Sequence, residues 1–243
     1  MSAGGHARVL LVAIKDEDEN RSMALRLQYG LGLVIWGLFG VSFLLAQSKN
    51  PADLGVGKLL VVPRDSPDPN FAESVVLLVH YAGDGTVGLM INRQTKLPVS
   101  RVLQNLKGSS KYPDPVYAGG PVEIEAVQAL LQSGAGQHDA THIFGNVYLV
   151  STKPELEKAL AARKSSKELR IYLGYCGWSP GQLENEVNRG GWYIFDGSER
   201  LVFDSNPSTL WSRMIARTEE EIVRLRRGFI GRDLFEQRSS DPN

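Results

Sequence analysis

The chain has 243 residues, 42% of them hydrophobic, and its 27 basic side chains are balanced by 27 acidic ones. That length covers one domain of roughly 150 residues plus extensions, with material for a sizeable core. The even charge argues against a nucleic-acid surface, which needs a basic excess. The single cysteine excludes an intramolecular disulfide but leaves the redox compartment open.

Residues 1–26 read as an N-terminal leader, with Met1 and Met23 both candidate starts. Residues 27–48, LQYGLGLVIWGLFGVSFLLAQS, form an uncharged run of 22 between Arg26 and Lys49. A membrane-spanning helix needs about 20 such residues. The apolar residues surround the whole helical circumference, so this is not an amphipathic surface helix. The segment reads as a transmembrane helix or as a signal peptide starting at Met23. Ala46 would then precede the cleavage site, although Leu44 fits poorly where a small residue is preferred. A buried helix of a soluble domain is the alternative. The expectation is a membrane-anchored or exported protein on the periplasmic side, with a cytoplasmic location as the other reading.

Residues 49–57 are a polar linker containing Pro and Gly. The segments 58–62, 74–81 and 87–92 read as strands, the last two joined by a hairpin at AGDGT, 82–86. The proline-rich RDSPDPNF, 64–71, is a loop. Residues 96–106 carry apolar side chains at helical spacing and predict a short helix. YPDPVYAGGPV, 112–122, reads as a turn, a short strand and a glycine corner, and 127–133 as a strand by its place between turns. A strand over 146–152 follows, then a helix over about 154–164 with Ser151 or Thr152 as its cap and Pro154 in its first turn. Residues 168–175 predict a strand. Ser179 then caps a helix beginning at Pro180, with Gln182 completing a capping box. Residues 191–196 and 200–204 predict a hairpin. Residues 205–215 predict a helix that the charged stretch 216–228 extends, before a tail over 229–243.

Short helices and adjacent hairpin strands predict an α+β fold. Its mixed, mainly antiparallel sheet carries flanking short helices and is preceded by the hydrophobic N-terminal helix. The main domain spans 58–215, with 216–243 a charged helical extension and tail.

Six motifs occur in order: DPNF followed by SVV (68–76), GLMINR (88–93), YAGGPV (117–122), VYLVST (147–152), LGYCGWSPGQLENEV (173–187) and LVFD followed by LW (201–211). Together they resemble the YqgE/AlgH family over roughly residues 55–215. The resemblance implies a compact α+β domain, no recognised cofactor and no recognised catalytic residues. The family often carries a transcriptional-regulator label.

Cys176 stands where a strand meets a helix, as nucleophiles often do. A cysteine nucleophile needs a base, and the chain offers His6, His80, His138 and His142. G-Y-C-G-W does not complete the G-x-S-x-G elbow, because Trp178 replaces the last glycine. The bland reading is a small buried residue. Gly119-Gly120-Pro121 lacks a phosphate-loop lysine. His138, Asp139 and His142 lack a convincing further ligand for a metal.

The helix start over 179–184 presents N–H groups that suit an anion. Asn92 and Arg93 end a strand, where they either bond locally or meet a carboxylate. Trp178 reads as a lid, Gln182 as a cap, and Glu184 and Glu186 as a solvated helix face. The candidate binding surface is therefore Asn70, Phe71, Asn92, Arg93, Cys176, Trp178, Gln182 and Glu184, with no catalytic or metal-ligating residue and no cofactor assigned. The leading reading is a non-enzymatic binding or regulatory module with a protein partner. A small-ligand binder or hydrolase-like enzyme using Cys176 or the 179–184 helix start is the first alternative, and a direct transcriptional regulator the second.

Overall fold

Branched aliphatic runs build the first strands of the computed structural model, which describes residues 50–134, 140–162, 165 and 167–220. The leader, the hydrophobic segment 27–48, His138, Asp139 and everything after 220 lie outside the described residues. Strands β1 (Lys58–Val61), β2 (Val75–Ala82) and β3 (Gly85–Met90) form an antiparallel meander. The first five residues of β2 are buried, as a Val/Leu run covered on both faces requires. The β2–β3 hairpin closes at Ala82↔Gly85 around Gly83 and Asp84.

Further along lie β4 (Gln94–Pro98), α1 (Val99–Val102), β5 (Pro115–Ala118), β6 (Val122–Gln132), β7 (Thr141–Phe144) and β8 (Val147–Val150). Then come α2 (Lys153–Ala161), β9 (Leu169–Trp178), α3 (Gln182–Asn188), β10 (Tyr193–Asp196), α4 (Glu199–Val202) and α5, residues 210–220. The strands join in the order β10-β1-β2-β3-β9-β6-β8-β7, with β4 on β5 and β5 on β9. Among the described residues only the β5–β9 pairing is parallel.

Several elements depart from the sequence expectations. Residues 94–98 are a strand rather than the start of a helix, and Pro98, extended at φ −73° and ψ 147°, leaves only α1 helical after it. Residues 191–196 and 200–204 do not pair as a hairpin. β10 pairs with β1, while 199–202 form one helical turn whose Val202 is fully buried. That turn is tied to the end of β6 and to the β7–β8 turn by Glu199, which accepts hydrogen bonds from Gln132 Nε2 at 2.7 Å and Asn146 N–H at 2.8 Å. The helix expected from 205 begins as a 3₁₀ turn over Pro207–Thr209. Among the described residues no helix is long and apolar enough to cross a membrane.

β9 organises the molecule. β6 pairs with one edge of it, at Val127↔Leu173 and Val122↔Tyr175. The other edge receives β5, at Ala118↔Leu173, and β3, at Gly88↔Cys176. The chain between Ala118 and Val122 therefore crosses over β9 from edge to edge. Backbone passes on backbone there, and a side chain has no room. A Cβ on Gly119 would lie 2.3 Å from Gly174 O, and one on Gly120 2.1 Å from the Tyr175 carbonyl carbon. Gly174 also adopts φ +69°, in the left-handed region that favours glycine.

Two hydrophobic clusters flank this crossing. One gathers β1–β3 with Trp178, Leu183, Trp192, Leu210 and Trp211. The other gathers Val99, Leu103, Val116, Leu131, Leu156 and Leu160. β9 feeds both, giving Leu169 and Ile171 to the second and Tyr172, Cys176 and Trp178 to the first.

Candidate functional site

The loop between β1 and β2 is held by the residues that follow β3. Buried Asn92 accepts from Val75 N–H through Oδ1 at 2.9 Å and donates from Nδ2 to Glu73 O at 2.8 Å. Arg93 Nη2 donates to Ala72 O at 2.9 Å. Within this clamp Glu73 adopts φ 55°, a conformation that costs a non-glycine residue energy and persists only when its surroundings impose it. Asn70 gives its backbone N–H to Asp68 Oδ1 at 2.8 Å, an Asx turn.

From the same loop Phe71 reaches an aromatic cluster. It stacks on Trp178, with centroids 6.0 Å apart, and meets Trp192 edge-on at 5.3 Å. Trp178 and Trp192 pack at 6.1 Å with their planes 78° apart. Such offset and edge-to-face arrangements suit the ring quadrupoles. Glu186, one turn into α3, completes the cluster. Its Oε2 accepts from Trp178 Nε1 at 3.0 Å and Trp192 Nε1 at 2.8 Å, and its Oε1 from Gln182 Nε2 at 3.0 Å.

The reading of Glu184 and Glu186 as a solvated face is thereby corrected. Glu186 satisfies two indoles, and Glu184 Oε1 accepts from Tyr81 Oη at 2.7 Å. Burial first, and then the Glu184 carboxylate, push the Tyr81 phenol up to about 12. α3 starts at Gln182 after Gly181 at φ 76°, without a side-chain cap on that residue. The predicted box survives in one half, since Gln182 Oε1 accepts from Ser179 N–H at 3.1 Å. Trp192, Tyr81 and Glu186 were missed as members of this group. The available signal was a glutamate lying between two tryptophans in sequence, Trp178 and Trp192.

Cys176 is not at the corner. β9 runs on to Trp178, so the thiol lies inside the strand near its end, fully buried, with Sγ 3.5 Å from Gly119 O beneath the crossing. Burial pushes the thiol up, and the charge of Arg93 only partly offsets it. The described histidines are engaged elsewhere: His80 Nε2 lies 3.0 Å from Asp84 Oδ1, and His142 Nε2 lies 2.9 Å from Gly145 O. Among the described residues no group of three or more His, Cys, Asp or Glu is placed to hold a metal ion. The structure thus gathers Phe71, Asn92, Arg93, Trp178, Gln182 and Glu184 around the 64–73 loop and α3. It buries Trp178 under Phe71 and Cys176 beneath the β9 crossing, exposing neither on that surface.

A family model described as DUF179, AlgH-like, matches residues 59–223, well over half of the chain. The chain belongs to the AlgH-like family. A UPF0301 protein of Streptomyces avermitilis is 35% identical over 176 residues, covering 69% of this chain and 88% of that protein. A UPF0301 protein of Chlorobaculum tepidum is 31% identical over 160 residues, covering 65% and 84%. The solution structure of the Pseudomonas aeruginosa AlgH protein matches with a TM-score of 0.56 at 29% identity, over 66% of this chain and 87% of that one. A Corynebacterium diphtheriae protein, 21% identical with a TM-score of 0.55, shares the fold. Two motifs that carry the AlgH-like resemblance, YAGGPV and LGYCGW, form the two layers of the β9 crossing. They fix backbone geometry there.

Proposed function

We propose that this AlgH-like protein is a non-enzymatic binding or regulatory module that acts through protein contacts. Its contact surface is the clamped 64–73 loop with the adjoining rim of α3. One observation carries this reading: exposed Glu73 is held in a left-handed conformation by Asn92 and Arg93. Strain of this kind clusters at binding sites, and a rigid loop presents its carboxylate at little entropic cost on association. The enzymatic alternative through Cys176 draws no support from a buried thiol whose ionisation is disfavoured.

The test is a photo-crosslinking residue placed at Glu73 in living cells, with exposed Lys153 as the control position. A discrete adduct from Glu73 but not from Lys153 is expected. Identical adducts from both positions, or none from either, would sink the proposal. We further propose that residues 27–48 place the module at or beyond a membrane. Fractionation of the same cells checks this, and recovery of the chain in the cytosol alone refutes it.

A further inference from the structure

The β6–β9 pair holds two buried side-chain oxygens without partners among the described residues. Gln128 and Tyr172 stand directly opposite each other in the antiparallel register. Gln128 is 3% exposed and Tyr172 0%. Neither Gln128 Oε1 nor Tyr172 Oη has a hydrogen-bond partner among the described residues. Their surroundings are polar for a core. The Arg170 guanidinium is buried beside them, 5.0 Å from the Tyr117 ring centroid and 5.7 Å from that of Phe203, and it donates to Val202 O at 2.8 Å and to Asp204 O. Tyr117 packs on Tyr172 at 5.4 Å. Burial pushes the Tyr172 phenol up, and the Arg170 guanidinium pulls it down through its charge and through a side-chain interaction that falls short of a hydrogen bond of normal geometry.

Bare buried polar atoms are costly, and native interiors commonly satisfy them with ordered water where a polar site has room for one and offers two or more partners. We infer that this site binds one structural water, which accepts from Tyr172 Oη and donates to Gln128 Oε1. The bridge ties the two strands beside the Arg170 guanidinium, which also secures the 202–204 turn.

Two measurements test the bridge. In thermal unfolding, Tyr172→Phe is expected to lower Tm, because it strips a partner from a bound water and leaves Gln128 under-satisfied. If the hydroxyl were simply bare, the same substitution would remove an unsatisfied group and raise Tm, which overturns the inference. In a crystal structure at about 1.5 Å, an ordered solvent peak within hydrogen-bonding distance of both oxygens is expected. Density that leaves the site dry overturns the inference, even if Tyr172→Phe lowers Tm by a packing effect. The double variant Tyr172→Phe with Gln128→Met serves as the coupling control. A bridge makes its Tm loss smaller than the sum of the single losses, whereas additive losses count against it.

Discussion

Glu186 shows how one carboxylate fixes an aromatic cluster. Trp178 and Trp192 are 1% and 4% exposed, and each indole N–H has only a donor to offer. One Glu186 oxygen accepts both, and this orients the rings on which Phe71 rests. Glu186→Ala is expected to cost about 2 kcal/mol or more, because two buried donors lose a charged acceptor. Glu186→Gln keeps an oxygen acceptor and is expected to cost less than half of that. Urea denaturation followed by tryptophan fluorescence measures both, and equal losses would show that the acceptor is not what matters. Little of this was legible beforehand. α3 is short, and its charged side chains have the pattern of a solvent face. The fold gives that face its partners by bringing Tyr81, Trp178 and Trp192 beside it.

The C-terminal helix α5 shows the same dependence on distant partners at the scale of an element. Its Trp211 donates to Val62 O at 2.8 Å, and Arg64 meets Glu219 at 2.7 Å. Arg213 pairs with Asp204 at 2.8 Å, where the carboxylate also accepts from Asn206 N–H at 2.8 Å. Burial is the largest influence on Asp204 and acts upward. The Asn206 N–H, Arg213 and the charge of Arg170 together outweigh it and hold the carboxyl below its ordinary value of 3.8. A depressed folded value stabilises the native state above the unfolded value and loses that contribution as pH falls through the folded one. Stability is therefore expected to fall below about pH 4, and Asp204→Asn to flatten that acid limb. Midpoints of denaturation measured against pH check it, and an unchanged acid limb in the variant refutes it. The helix itself was readable from sequence, with its charged extension as far as 220, while the rest of the expected extension, 221–228, lies outside the described residues. Its start was placed at 205, whereas the chain first takes a 3₁₀ turn at Pro207. Pro98 had a comparable effect earlier in the chain, where a helical spacing of apolar residues yielded to a strand paired with β5.

At the scale of the whole molecule the crossing over β9 is the decisive feature. Segments far apart in sequence meet there backbone to backbone, so small changes have global effects. Gly120→Ala would drive a Cβ into the Tyr175 carbonyl at 2.1 Å, and backbone cannot swing aside as a flexible side chain can. Loss of the cooperative unfolding transition is expected in this variant. Gly55→Ala, with nothing within 4 Å of its Cβ, is expected to change stability by less than about 0.5 kcal/mol. Calorimetry on both variants settles it, and a Gly120→Ala protein that melts like the parent would disprove the account of the crossing.

The sequence by itself determined the runs of β1, β2, β3, β8 and β9, the β2–β3 hairpin, the α+β class and the family, because alternation, turn residues and short motifs are local signals. The tertiary structure alone decided that Cys176 lies inside β9 beneath a crossing, that β10 pairs with β1, and that Glu186 serves two indoles. Each of these depends on which distant segment arrives beside a residue. Local side-chain chemistry does not encode that arrival, which is set by packing and pairing across the whole sheet.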